Sequence, residues 1–453
     1  MAVWSQTKVS EISKSKRIDS EYFHPSYLEA ENAVLKRNVK PLKHIGQFLI
    51  GPFGSAFHVS NYDLNSPYRY IRGKDVKPFQ LLDDDSVYMP PRDFERLNRY
   101  SIKENDLLIS VVGTLGNVAI VPEGLQGVFS CKSTIFRNSC IDPYFLLAYF
   151  NSSYGKSCLL RRQRGAIQAG LNKDDLEEVP VPVFDPEMCS DVGDKVRMAL
   201  DKNRLSKSLY SEAQKLLEKE LGLDQLALER PKSYETSFSE VVSRGRIDSD
   251  YFQVHFKQQA NHLSMIQSKP LREIVDLQKG IEVGSPAYTS SGNLFVRVSN
   301  VKKMGVVTGN SDKYISETLF NSLVSYQPKI GDILLTKDGT VGVCYVVDES
   351  VDGIISGGIM KLSKKDETIP SEYLALVINS PICQFQIDRD CSGALIVHWK
   401  PKDIAALKIP ILTEDKMAEL SDLVNQSKIA KKESEQLLDQ AKRMVEELIE
   451  GSI

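Results

Sequence analysis

Between Leu42 and Val183 the apolar residues come in short runs separated by glycine and proline: Tyr68 to Ile71, Asp106 to Val112, Val118 to Val121 and Thr134 to Phe136. Runs of that length, so bounded, predict strands. In Leu176-Glu-Glu-Val-Pro-Val-Pro182 apolar residues alternate up to a proline, which predicts a closing strand that cannot continue. The rhythm then changes. From about Pro186 to Leu221, Val192, Val196, Ala199, Asn203, Ser206, Tyr210, Ala213 and Leu217 stand four and three residues apart in turn, the spacing of a seam between two helices. Upstream, Tyr22, Tyr27, Leu28, Val34 and Leu35 predict a short amphipathic helix from Ser20 to Leu35, with Ser20 or Asp19 as N-cap.

The same order of elements then recurs. Arg17-Ile-Asp-Ser-Glu-Tyr-Phe23 returns as Arg246-Ile-Asp-Ser-Asp-Tyr-Phe252, about half the chain length further on, with only Glu21 changed, to Asp250. Val9-Ser-Glu-Ile12 is echoed by Phe238-Ser-Glu-Val241, Leu42 to Ile45 by Leu271 to Ile274, and Gly51 by Gly280. Asn105 to Ser110 matches Gly331 to Thr336, and Gly113-Thr-Leu-Gly116 matches Gly339-Thr-Val-Gly342. The copy closes on Ile404 to Pro410, followed from about Glu414 to Ile449 by Leu423, Ser427, Ala430, Ser434, Leu437, Ala441, Met444 and Leu448 in the same four-three rhythm. A repeat this long is a whole domain, not a solenoid unit of some 20 to 50 residues. The expected architecture is α+β: a globular part plus a long helix, twice, with the two helices packed on each other. The expected boundaries are 1–185 for the first globular part, 186–230 for its helix and linker, 231–412 for the second globular part and 413–453 for the last helix.

Composition narrows the class. Apolar residues make up 42% and charged residues 26%, as in an ordinary globular protein. The longest apolar runs fall far short of the ~20 residues that span a bilayer, and the N-terminus lacks a signal-peptide core. A cytoplasmic protein without a membrane partner is expected. Seven scattered cysteines with no Cys-x-x-Cys pair argue against a disulfide framework. Six scattered histidines have no zinc-ligand spacing, so no metal is expected. A net charge of −3 neither announces nor excludes a polyanion, because local patches decide phosphate binding. The chain lacks a Gly-x-x-x-x-Gly-Lys phosphate loop, a Gly-x-Ser-x-Gly elbow and an Asn-Pro-Pro-aromatic signature for methyl transfer to amino nitrogens. The two Gly-Thr-x-Gly stretches predict turns in which glycine supplies positive φ. No catalytic residue is expected.

Taken together, the repeated Arg-Ile-Asp-Ser-x-Tyr-Phe opening, Asp106-Leu-Leu-Ile-Ser with Gly113-Thr-Leu-Gly116, Gly165-Ala-Ile-Gln-Ala-Gly-Leu-Asn172, and Val-Pro-Val-Pro182 before a long helix resemble the specificity subunit of type I restriction–modification systems. Each motif is short; their order, twice over, is specific, and the resemblance covers nearly the whole chain. It implies two target-recognition domains, each for half of a bipartite, gapped DNA site, held apart by an antiparallel helical spacer. It also implies docking of two methylation subunits, which carry S-adenosylmethionine, and of a restriction motor subunit. This chain would then have neither a cofactor nor a catalytic step of its own. A helix of ~35 residues is ~50 Å long, about one DNA turn or more, which fits two half-sites with an unread gap. One alternative is a scaffold that holds two partners without reading DNA. Another is an enzyme fused to its own reader, against which the missing methyltransferase motifs speak.

Arginine can bridge guanine O6 and N7 or clamp phosphate, and glutamine can pair with adenine. Arg161, Arg162, Gln163 and Arg164 form the densest basic cluster of the first globular part. With Gln168, Arg72, Lys74, Lys132 and Arg137 they are its expected DNA contacts. In the second, Arg297, Lys302, Lys303, Lys337, Arg389, His398 and Lys400 occupy similar places. For partner docking the expected residues are Val192, Val196, Tyr210 and Leu217 on the first helix and Leu423, Leu437, Met444 and Leu448 on the second.

Overall fold

The computed structural model describes residues 3–165, 169–309, 311–391 and 397–452. The chain divides into two compact units, Met1–Arg204 with Lys431–Ile453, and Leu205–Ala430.

Among its described residues the first unit contains nine strands: β1 (Val39–Pro41), β2 (Gln47–Ile50), β3 (Tyr68–Ile71), β4 (Tyr88–Met89), β5 (Leu107–Ser110), β6 (Val118–Ile120), β7 (Gly127–Phe129), β8 (Ser133–Arg137) and β9 (Pro180–Pro182). They form a four-stranded sheet in the order β2-β8-β5-β6, a three-stranded sheet β4-β3-β7 and the pair β1-β9. Neighbours are antiparallel except β3 and β7, which run parallel. Strand β5 reads as an unbroken apolar run because both its faces are covered. Leu107 and Ile109 join a core with the helix Pro143–Asn151, while Leu108 joins Ile71, Ala119, Phe129 and Ile135. That helix is buried from Phe145 to Phe150, which explains its lack of a polar face.

The second unit repeats the plan with β10 (Ser268–Pro270), β11 (Val275–Lys279), β12 (Asn293–Val296), β13 (Val301–Lys302), β14 (Gly305–Val306), β15 (Tyr314–Ile315), β16 (Ile333–Thr336), β17 (Cys344–Val346), β18 (Gly353–Ile355), β19 (Ile359–Lys364) and β20 (Lys408–Pro410). The orders β11-β19-β16-β17, β15-β12-β18 and β10-β20 match those of the first unit. The β13-β14 hairpin is an addition. On β16, Ile333 and Leu335 face the helical core and Leu334 the other, as on β5.

Each globular part leads into a long helix, Pro186–Glu220 and Glu414–Glu450. Within the first unit the Ser434 hydroxyl donates to the Ala199 carbonyl at 2.6 Å and Lys202 pairs with Glu433 at 2.6 Å. Within the second, Ser427 donates to the Ser206 carbonyl at 2.7 Å and Lys416 pairs with Glu220 at 3.1 Å. As one residue number rises its partner's falls, so the helices run antiparallel in both. Small seam residues admit this close approach.

Two expectations need correction, and one feature of the helices adds to the plan. The division between the two compact units falls inside both helices. The physical reason is that each helix half completes the core of its own unit: Val192, Val196, Ala441, Val445 and Leu448 in the first, Ala213, Leu217, Met417, Leu420 and Val424 in the second. The helix expected from Ser20 begins at Pro25, with His24 as N-cap. Proline suits the first helical position, where its missing N–H is not needed, and the Asp19 carboxylate instead accepts from the Tyr22 amide at 3.1 Å. The closing strands are shorter than expected, since Lys173–Glu177 and Pro401–Ala406 are helical. Asp174 and Asp175 in the first turn, and Pro401 in the second helix, favour that start. The Gly-Thr-x-Gly stretches are turns as expected: Gly113, Gly116, Gly339 and Gly342 all have positive φ, and the first pair lies in the β5–β6 connection.

Candidate nucleic-acid interface

The repeated motif is a clasp. Arg17 forks onto Asp19 at 2.8 and 2.7 Å, donates to the carbonyls of Gln163 at 2.5 Å and Arg162 at 3.3 Å, and lies 4.5 Å from the Tyr22 ring. Those carbonyls follow the helix Ser153–Leu160, where unpaired C=O groups favour a cation. Its hydrogen bond to Arg17, against a smaller effect of burial, holds the Asp19 carboxyl below its usual value. Arg246 repeats the set with Asp248 at 2.9 and 2.6 Å, the carbonyls of Asp390 at 3.1 Å and Cys391 at 3.4 Å, and the Tyr251 ring at 4.6 Å.

The basic cluster that follows is largely internal. Arg162 is buried and donates to Glu31 at 2.7 and 3.2 Å, to the Cys158 carbonyl at 2.8 Å and to the Glu178 carbonyl at 3.0 Å. Arg161 pairs with Glu31 at 3.0 Å, donates to the Tyr22 carbonyl at 3.0 Å and lies 4.2 Å from the Tyr22 ring. Both guanidiniums, expected as DNA contacts, are engaged within the chain. Burial alone would raise the Glu31 carboxyl; Arg162 and Arg161 together outweigh it and hold the group below the usual carboxylate value. Arg164 is exposed and forks onto Asp175 at 2.5 and 2.7 Å. Gln163 is half-buried, and Gln168 lies outside the described residues.

Elsewhere in the first unit Arg72 is tied to Asp75 at 2.9 Å and Asp85 at 3.4 Å, and Lys74 to Asp85 at 2.7 Å. Arg137 is held by Asp106 at 3.0 and 2.5 Å and by the Ser101 carbonyl. Lys132 is exposed and has no side-chain partner among the described residues. It crosses Gly73, where an added Cβ would stand 2.8 Å from the Lys132 Cβ. The Val111 amide bonds the Lys132 carbonyl at 3.0 Å, and Val112 bridges to Gly170. The turns at 72–74, 111–116 and 130–132 thus meet the segment around 164 and 170–171.

The second unit assembles the same elements. The Lys337 ammonium is buried beside Asp338 at 2.6 Å, and His398 Nδ1 lies 2.8 Å from the other Asp338 oxygen. Burial would raise the Asp338 carboxyl, but hydrogen bonds from Lys337 and His398 keep it below its usual range. Arg389 pairs with Asp390 at 2.8 Å and Arg297 donates to the Ser311 carbonyl. Lys302 and Lys303 on the β13-β14 hairpin, and Lys400 at the start of Pro401–Ala406, are exposed with no side-chain partner among the described residues. Of the expected contacts among the described residues, Lys132, Lys302, Lys303 and Lys400 are exposed with no side-chain partner there; Lys337, Arg137 and Arg162 are spent on internal carboxylates.

The expected docking residues face inward. Val192, Val196, Leu217 and Leu448 are buried in the cores. Tyr210, Leu423 and Met444 pack against them, and Leu437 is half-buried. Outward-facing apolar side chains on the helices are instead Met188, Met198, Leu205 and Ile429.

One residue of this surface escapes charge counting. Phe53 is 87% exposed on a turn pinned by Gly51, whose added Cβ would stand 2.5 Å from the Ser130 carbonyl oxygen, and by Gly54, 3.7 Å from Cys131 Sγ. Phe53 thus stands on the turn that meets Ser130 and Cys131, the two residues before Lys132. Its sequence signal is a phenylalanine inside Gly51-Pro-Phe-Gly54. Beyond the matching Gly280 the second unit has Glu282, packed over Gly357.

Among the described residues no group of three or more His, Cys, Asp or Glu side chains could hold a metal ion, and no helix is long and apolar enough to cross a membrane. No family model and no curated protein sequence matches the chain. Among solved structures it is similar to the S subunit of a type I restriction–modification system from M. genitalium, at 12% identity over 91% of this chain and 95% of that one, with a TM-score of 0.44. It is also similar to the HsdS subunit from Thermoanaerobacter tengcongensis, at 15% identity over 92% and 97%, with a TM-score of 0.28.

Proposed function

We propose that this chain is a non-catalytic DNA-specificity subunit of a type I restriction–modification complex. Its two heads each read half of a bipartite site across an unread gap. The observation that carries this reading is the repetition of one strand plan, clasp and long helix in one chain, together with the ordered motifs that resemble that family. Two similar heads on paired antiparallel helices suit two half-sites better than one ligand. On this reading double-stranded DNA, two copies of a methylation subunit and a restriction motor subunit are the partners. S-adenosylmethionine belongs to the methylation subunit, and the complex works in the cytoplasm.

The test is to express the chain with its methylation subunit in a host lacking DNA methylation and map modified adenines. A two-part motif with a fixed gap is the expected result. Unmodified DNA despite an assembled complex favours the second reading, a scaffold holding two partners. That reading has its own support, since most of the expected cationic contacts are engaged by carboxylates or carbonyls within the chain.

DNA binding by the assembled complex is expected to fall steeply with salt. Replacing Lys132, Lys302, Lys303 and Lys400 together by alanine lowers the slope of log K against log salt by roughly 3 to 4. Binding weakens about equally on all sequences, because phosphate contacts position without reading. Fluorescence anisotropy over a series of salt concentrations measures the slope; an unchanged slope removes these lysines from the interface.

A further inference from the structure

At one node the two heads share a backbone and differ in what that backbone carries. In the first, the Val111 amide donates to the Lys132 carbonyl at 3.0 Å, the Leu171 amide donates to the Val111 carbonyl at 3.0 Å, and Val112 bridges to Gly170. In the second, the Lys337 amide donates to the Gly358 carbonyl at 2.9 Å, the Trp399 amide donates to the Lys337 carbonyl at 2.9 Å, and Asp338 bridges to His398. Lys337, Asp338, Gly358 and His398 therefore stand where the first head has Val111, Val112, Lys132 and Gly170. The first head exposes the Lys132 side chain here. Its counterpart Gly358 has none, and a Cβ there would stand 2.8 Å from Val298 Cγ2. The cation of the second head, Lys337, is buried. What this head turns to solvent is the His398 imidazole, 56% exposed.

That ring is held in one orientation. One Asp338 oxygen accepts from the Lys337 ammonium at 2.6 Å, and the other lies 2.8 Å from His398 Nδ1. The hydrogen bonds from Lys337 and His398 keep the Asp338 carboxyl below its usual range. An ionised carboxylate only accepts, so Nδ1 carries the proton. Lys337 already balances the Asp338 charge, so the ring completes a neutral set without a second proton. The His398 Nε2 lone pair is then left over, with no partner among the described residues. It has nothing to offer a phosphate, which also only accepts. On the major-groove edge of a base it meets the amino groups of adenine N6 and cytosine N4. We infer that His398 reads the amino group of one base in the second head's half-site, and that Asp338 and Lys337 position its ring. The inference rests on the DNA reading proposed above. It gives the two heads opposite hydrogen-bonding character at one node, a donor at Lys132 and an acceptor at His398.

The experiment maps methylated sites as above, then measures binding of the mapped site by the full chain with its methylation subunit. His398→Ala is expected to relax the base requirement at one position of one half-site, leaving the other half-site and the salt slope unchanged. Its thermal unfolding should stay close to that of the unaltered chain, because the ring is exposed. The base at that position is then replaced by its analogue without the amino group, purine for adenine or 2-pyrimidinone for cytosine. The unaltered complex is expected to lose roughly three- to tenfold in affinity, the worth of one hydrogen bond, and the His398→Ala complex nothing further. Lys337→Val with Asp338→Val, the pair with which the first head folds, should relax the same position although His398 remains. A requirement retained by that pair overturns the positioning role. A requirement unchanged in His398→Ala, weakening equal on all sequences, or equal loss from the analogue in both complexes overturns the inference and leaves the proposed function standing. No two-part motif from the unaltered chain overturns both.

Discussion

Arg162→Met is expected to destabilise the first unit by about 3–5 kcal/mol, the usual effect of removing one member of a buried ion pair. The guanidinium is enclosed with Glu31 and also satisfies the Cys158 and Glu178 carbonyls, so its loss leaves the buried Glu31 to Arg161 alone and takes the side-chain donor from two carbonyls. In the second unit the corresponding contact, between helices Val254–Ser264 and Pro381–Asp390, is made by a neutral amide: Gln259 donates to the Ile382 carbonyl at 2.8 Å. Urea unfolding followed by hydrogen exchange should therefore show the loss in the first unit alone. Acid adds a second readout. The Glu31 carboxyl sits below its unfolded value of about 4.3. Its contribution is therefore present above that pH and is lost as pH falls through the folded value. The stability gap between the native chain and Glu31→Gln should be widest near neutrality and shrink below about pH 4. A gap that stays constant well below that pH would show that Glu31 is not ionised in the fold.

Arg17→Ala should cost about 2–3 kcal/mol, in the range for hydrogen bonds to charged groups, and Arg246→Ala roughly half of that. The two clasps have the same partners but different cover: the arginine side chain is 5% exposed in the first and 24% in the second. Solvent screens the second pair and weakens its contribution. Faster exchange of the amides just beyond Leu160 in Arg17→Ala, larger than that beyond Asp390 in Arg246→Ala, is the expected pattern. Equal effects would mean that the ring contacts, and not the fork, hold the clasp.

The heads and helices are legible in the sequence because burial leaves a periodic trace. The run through Leu107 to Ser110 and its counterpart Ile333 to Thr336 are strands, and the seam from Val192 to Leu217 is buried but for Tyr210, which is partly so. The second helix departs from the expected rhythm at its ends. Val424 and Val445 are buried there while Leu423 and Met444 are partly open, because each end answers to a globular core as well as to the other helix. Charge left no comparable trace. The arginines at 161–164 read as a basic patch, yet the carboxylate that neutralises two of them is Glu31, some 130 residues earlier. Nor does counting cations find Phe53, whose exposure depends on a turn pressed against Ser130.

Because residues 431–450 supply Ala441, Val445, Leu448 and Ile449 to the first unit, that unit cannot be completed when its own stretch leaves the ribosome. At ~5–20 residues per second, the remaining ~230 residues take roughly 10 to 50 s to synthesise. Throughout that interval the core around Val192 and Val196 lacks the part that the last helix supplies. A premature stop within the last helix would for the same reason damage the N-terminal head first. The half of the protein that is translated first is the half that finishes folding last.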